Sequence, residues 1–147
     1  MISVDTNILV YATDRKGGAR HEAATDIIQA ARRVDAGVTE QAIVEFVSVA
    51  VRKAKLPLYE TLPFVQEFLA SFELLLPTNT VVDDVLDLLL RYNLSAWDAR
   101  LLAVCNTHDC EYLLSEDLQD RARYRNVTVI NPFDPANADV LDRLLAP

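Results

Sequence analysis

Ile2-Ser3-Val4-Asp5-Thr6-Asn7 sets a short apolar run directly against an acid and two small polar residues. The run Ile2–Val4 reads as a buried strand, and Asp5 after it reads as the cap of a helical segment over 8–13. The same alternation continues outward. Ala36–Thr39, Glu73–Leu76, Tyr112–Leu114 and Val127–Ile130 are further strand candidates. Helical periods fill the gaps, over 19–33, 41–52, 59–72, 79–92 and 97–107. The first carries Ala23, Ala24, Ile27, Ile28 and Ala31 on one side. In 79–92, Val82, Val85, Leu86, Leu89 and Leu90 form the apolar stripe, while Asp83, Asp84 and Asp87 form an expected solvated face. Pro63 fits its helix only within the first turn. Phe64, Val65, Phe68, Leu69 and Phe72 exceed one helix face and serve either as core or as a surface for a second copy. Strands alternating with helices predict an α/β fold, a parallel sheet flanked by helices. Ligands of such sheets bind beyond the carboxyl ends of the strands.

The chain has 147 residues, 51% of them apolar and only three of them glycine, which suits one globular domain and excludes a disordered or collagen-like chain. Its 14 Lys and Arg stand against 22 Asp and Glu, a formal charge of −8, so a protein that coats polyanions is excluded. The longest stretch without Asp, Glu, Lys or Arg is nine residues, 74–82, too short to cross a membrane. The start Met1-Ile2-Ser3-Val4-Asp5 does not read as a secretory signal. Cys105 and Cys110 match no zinc or redox spacing and are expected to be reduced thiols in a cytoplasmic protein.

Four carboxylates stand in telling places. Asp5 and Asp117 follow strands. Glu45 lies in Ile43-Val44-Glu45-Phe46-Val47 among apolar neighbours, where an unpaired charge would be costly, so either an arginine or a cation is expected beside it. Asp98, in Ser95-Ala96-Trp97-Asp98, fits a capping-box variant ahead of Leu101-Leu102-Ala103-Val104. Each has a plain structural explanation alone. Gathered at one sheet edge, they would repel one another unless a cation neutralised them. Carboxylates without Cys or His favour Mg²⁺ or Mn²⁺, and such a site suits phosphodiester hydrolysis.

Val4-Asp5-Thr6-Asn7, Glu45-Phe46, Trp97-Asp98-Ala99, Leu114-Ser115-Glu116-Asp117-Leu118 and Val129-Ile130-Asn131-Pro132-Phe133 resemble, in that order, a PIN-domain ribonuclease of the VapC toxin type. The resemblance spans 2–133. It implies a five-stranded parallel sheet of order 3-2-1-4-5 over residues 1–133; residues 134–147 form a C-terminal extension beyond the pattern, read from Val140, Leu141, Leu144 and Leu145 as carrying a short helix. It further implies Mg²⁺- or Mn²⁺-dependent endoribonuclease activity, a homodimer, and a small antitoxin that blocks the acidic pocket. Asp5, Glu45, Asp98 and Asp117 would be the catalytic and metal-binding acids, with Thr6, Asn7 and Ser115 in support. The family commonly carries a glycine-bearing turn after the last acid; here Leu118-Gln119-Asp120 runs into Arg121-Ala122-Arg123-Tyr124-Arg125.

RNA contacts are expected from Arg121, Arg123 and Tyr124, the last as a stacking ring, and from Arg100, which could reach a phosphate or pair with a site carboxylate. Other basic clusters are Arg15, Lys16 and Arg20, and Arg52, Lys53 and Lys55. Two other strand-end-aspartate chemistries fit poorly. An aspartyl-phosphate phosphatase wants an acid where Asn7 stands, and a phospho-receiver wants a late lysine, yet none follows Lys55. A binding or scaffold module with a weakened site is the alternative to an enzyme.

Overall fold

A computed structural model describes residues 1–147. The elements run β1 (Ile2–Val4), α1 (Thr6–Thr13), α2 (Ala19–Ala31), β2 (Ala36–Thr39), α3 (Glu40–Arg52), α4 (Leu58–Ser71) and β3 (Glu73–Leu75). There follow α5 (Val81–Arg91), α6 (Ala96–Thr107), β4 (Tyr112–Leu114), β5 (Arg123–Tyr124) and β6 (Val127–Ile130). A 3₁₀ turn at Pro135–Asn137 and α7 (Ala138–Leu144) close the chain. The sheet order is β3-β2-β1-β4-β6-β5. Five strands are parallel, as expected, with β6 in the fifth place.

The sixth strand is the departure. β5 pairs antiparallel with β6, in a stretch where Arg123 and Tyr124 are expected to contact RNA and no strand is expected. Three contacts build it. Tyr124 is buried and meets Tyr92 edge to face at 5.1 Å. Arg125 adopts a left-handed φ of 56° that turns the chain back. Its guanidinium binds Asp84 and Asp87 of α5. Two of the three aspartates expected to face only water therefore hold the hairpin.

The central strands β1, β2, β4 and β6 are buried on both faces or nearly so, as central parallel strands are, whereas the edge strand β3 exposes Glu73 and Leu74. Ile2, Val4, Leu114 and Ile130 point into one cluster with α1, α2, α3 and α4; Leu113, Val129 and Leu75 point into a second with α5 and α6. Phe68 and Phe72 are core, with Phe64 and Val65 packed against it, whereas Leu69 stays exposed. Cys105 and Cys110 are free, buried thiols in the second cluster. Pro63 lies beyond the first turn of α4, whose cap is Pro57. The helix tolerates it because this face is exposed and water can serve the carbonyl its missing N–H leaves free.

Helices start where strands stop. Thr39 ends β2 and caps α3 through Ala42 N–H at 3.1 Å, so strand and helix join without a loop. The C-terminal segment is fastened by Asn137, fully buried, which donates to Asp120 and to the Asn131 carbonyl. Val140, Leu141 and Leu144 of α7 pack on the first cluster. No helix is long and apolar enough to cross a membrane.

Gly37 of β2 sits tight against the Leu75 side chain of β3. A Cβ there would lie 2.8–2.9 Å from three side-chain carbons of Leu75, which is wholly buried. Gly37→Ala should therefore lower stability by about 1–3 kcal/mol through overpacking. Urea unfolding should show an earlier midpoint at unchanged slope; an unmoved midpoint would mean that Leu75 can give way.

Candidate active site

β1 and β4 are adjacent, with Val4 opposite Leu114, so the residues that follow each strand meet. Ser115 Oγ donates to Asp5 Oδ2 at 2.7 Å, and Thr6 N–H donates to Asp5 Oδ1 at 2.7 Å. Asp5 is thus both the cap of α1 and the floor of a polar site. Burial pushes its carboxyl up to about 6, and the nearby charges of Asp117 and Glu45 push the same way, while the Ser115 and Thr6 hydrogen bonds pull it down.

The next two residues gather the other acids. Thr6 Oγ1 donates to Glu45 Oε2 at 2.9 Å, and Asn7 Nδ2 donates to Asp117 Oδ2 at 3.2 Å. Ser115 Oγ also accepts the Asp117 N–H at 3.2 Å. Asp5, Glu45 and Asp117 are therefore brought together, each held by one of the small polar residues Thr6, Asn7 and Ser115. Glu45 is half-buried rather than enclosed, because the helical period turns its neighbour Val44 outward, 59% exposed. No arginine pairs with it; its partners are Thr6 and Gln41.

Asp98 is not tied into this network. Its N–H bonds the Ser95 cap at 3.1 Å, as the capping pattern requires, but its half-buried carboxylate accepts no hydrogen bond from Thr6, Asn7 or Ser115. No three acidic, His or Cys side chains form a ready cation cage. Even so, the donors suit a hard divalent ion: they are all oxygens, and Asn7 Oδ1 is a buried acceptor without a donor among acceptor-only carboxylates. Neither histidine joins them. His21 bonds the Tyr11 carbonyl and His108 the Leu76 carbonyl.

The expected RNA contacts fare unequally. Arg100 donates to Gln41 Oε1 and Glu40 Oε2, both at 2.9 Å, so its carboxylate partner is not one of the four acids. Arg121 donates to Asn137 Oδ1 and the Ala136 carbonyl, and so ties down the C-terminal segment. It also takes the left-handed position, φ 59°, in a turn that here lacks glycine. Arg123 is exposed and bonds the Arg125 carbonyl. Tyr124, expected to stack on a base, is buried against Tyr92 and cannot.

Sequence reading missed a second group beside the acids. Tyr11 donates to Glu116, and Arg20 donates to both Tyr11 and Glu116, lying over the rings of Tyr11 and Phe133. Tyr11 and Glu116 line a depression of about 410 Å³ with Thr6, Asn7, Glu45 and Asp117. Exposed Lys53 stands on its rim. The signal for Lys53 was its basic cluster; Tyr11, one turn after Asn7 on α1, carried none.

The sequence pattern of the PIN domain matches residues 2–126. No curated protein matches the sequence. Among solved structures, a toxin–antitoxin complex from Klebsiella pneumoniae is 22% identical over 91% of this chain and 99% of its own, with a TM-score of 0.66. VapBC2 from Rickettsia felis, bound to a promoter DNA fragment, is 16% identical over 89% and 98%, at 0.65. VapC20 of Mycobacterium tuberculosis, a sarcin–ricin loop cleaving toxin, is 17% identical over 80% and 90%, at 0.60. At these identities the likeness is one of fold.

Asp5 makes a testable link between pH and stability. Its folded-state pKa of about 6 lies above the ordinary 3.8, so folding favours the protonated form. Its contribution is fully present below pH 3.8 and is lost as pH rises through 6. Asp5→Asn should therefore be more stable than the natural chain at pH 7–8, by up to about 3 kcal/mol at 1.36 kcal/mol per pKa unit. Metal-free thermal unfolding from pH 4 to pH 8 checks it: the advantage should vanish at the acid end, and a constant difference would refute it.

Proposed function

The chain belongs to the PIN domain family, and from that premise we propose that it is a divalent-metal-dependent endoribonuclease, the toxin of a type II toxin–antitoxin pair. One observation carries the proposal: Asp5, Glu45 and Asp117 converge at the carboxyl ends of β1 and β4, each held by Ser115, Thr6 or Asn7. Asp5, Glu45 and Asp117 would hold Mg²⁺ or Mn²⁺, with Asp98 completing the set from the start of α6. Such an ion, when bound, lowers the pKa of an attacking water and stabilises charge on the leaving oxygen.

The chain's own groups divide the remaining work. Ser115 and Thr6 fix the Asp5 carboxylate so that it presents charge in one orientation. Asn7 fixes Asp117 and offers its free Oδ1. Lys53 is the exposed cation on the rim that can meet a phosphate, which matters in a chain of net charge −8. The antitoxin would be a small protein covering this depression. A homodimer is supported by Val82, Leu86 and Leu90, one apolar stripe along α5 that faces solvent, with Leu90 88% exposed.

A binding or scaffold module of the same fold is the second reading. It is favoured by the absence of a ready cage of acidic, His or Cys side chains. The purified chain, freed of partner, should be tested on a pool of structured RNAs with Mg²⁺, with Mn²⁺ and with chelator. Discrete cuts that need metal are expected. Asp5→Asn and Glu45→Gln should each lower the rate by at least about 100-fold, beyond what loss of an outer-shell partner does. Asp98→Asn with full activity would leave a three-acid site. Cutting by Asp5→Asn at the natural rate would overturn the assignment of the chemistry to these acids, and no cutting by a folded chain that binds no Mn²⁺ would hand the case to the scaffold.

A further inference from the structure

We propose that the groove on the far side of Glu45 is a subsite for one unpaired nucleobase of the RNA, with Trp97 as its stacking platform. The proposal rests on RNA being the substrate and names how a single strand is gripped beside the acids. The groove has a volume of about 510 Å³ and is lined by Glu40, Gln41, Val44, Glu45, Ser48, Trp97 and Arg100. It shares Glu45 and Ser48 with the acidic depression, so its occupant adjoins the place where phosphodiester chemistry would occur.

Trp97 is the only tryptophan in the chain and is 66% exposed, an unusual setting for so large a ring. It lies in the first turn of α6, after the Ser95 cap. Its carbonyl accepts Gln41 Nε2 at 3.2 Å, which ties this turn to α3. The exposed side chain of Val44 adds a second apolar surface. An aromatic face beside an apolar wall suits a base taken out of a stack.

Charge decides between base and phosphate. The guanidinium in the groove, Arg100, is already neutralised by Glu40 at 2.9 Å, and Glu45 borders the same space. A phosphate entering there finds no free cation and two carboxylates. An uncharged base meets no such penalty. Arg100 keeps N–H donors beyond the two it uses, and Glu40 keeps an oxygen, so the edge of a base finds both a donor and an acceptor. Tyr124, the ring expected from the sequence to stack, is buried and cannot, whereas Trp97 is the exposed ring that lines this groove.

A lone tryptophan makes the test direct, because all indole emission comes from the subsite. The Asp5→Asn chain, with Mg²⁺ present, is titrated with a short fluorescently tagged single-stranded RNA, following both indole emission and anisotropy of the tag. Saturable quenching that follows binding is expected, with little quenching by a duplex of equal length. Trp97→Leu, which keeps the apolar character but removes the ring, should weaken binding about tenfold, while Trp97→Phe restores most of it. In the otherwise natural chain, Trp97→Leu should raise KM with kcat nearly unchanged.

RNA that binds without changing the emission overturns the proposal. So does emission that shifts with protein concentration and ignores RNA, which would assign Trp97 to a contact between copies. The two readings fail separately. Quenching without cleavage by the natural chain keeps the subsite and removes the nuclease. Cleavage with an unchanged KM in Trp97→Leu keeps the nuclease and removes the subsite.

Discussion

The Asp5 carboxylate is taken out of water at the seam between β1 and β4, and much of the surrounding structure is arranged to make that tolerable. A buried carboxylate needs donors. It takes one from the first turn of α1 and one from Ser115, so a single side chain sets where a helix begins and locks the ends of two strands. The consequences spread one residue at a time. Thr6 is placed to hold Glu45 from α3, and Asn7 to hold Asp117 from the segment after β4. The acids are thus gathered by the same short stretch that starts α1. The grouping costs stability, since burial and two like charges push the Asp5 pKa up. Proteins commonly accept such a cost at sites that act on something.

An acidic chain offered a polyanionic substrate needs its positive charge in chosen places. Most of its arginines are engaged internally. Arg125 binds Asp84 and Asp87, Arg100 binds Glu40, Arg20 binds Glu116 and Arg32 binds Glu67. These pairs build the fold's joints and neutralise the charge they use. Lys53 and Arg123 are among the cations left exposed. Attraction at long range is therefore weak, and grip has to come from short-range contacts such as a stacked ring or a bound cation.

The strands and helices were legible because burial imposes a period. Ile2–Val4 and Ala36–Thr39 expose no solvent face, and Val127–Ile130 is buried but for Thr128; their apolar runs said so. The strand-end acids Asp5 and Asp117 were legible from the same rule, since they follow such runs. What escaped depended on partners distant in sequence. Nothing local to Tyr124-Arg125 announced Tyr92, Asp84 and Asp87, so a core hairpin looked like a basic surface turn. Glu45 looked buried because its sequence neighbours are apolar, although a helix turns them to different sides. Asp98 shows the converse. Its capping spacing predicted the local bond to Ser95 correctly, but spacing could not say that none of the residues holding the other acids would hold its carboxylate.

Gln41 is the tie between the acids and the start of α6. Its amide nitrogen donates to Glu45 and to the Trp97 carbonyl, and its amide oxygen accepts from Arg100. The side chain is buried and its polar atoms are committed on three sides. Anything that draws Glu45 away must therefore break one of these bonds or carry the others along. The acidic depression and the tryptophan groove are in that sense one mechanical unit. Were an occupant of one to draw Glu45, the other would feel it through Gln41, and by reciprocity each would change the other's affinity by the same factor.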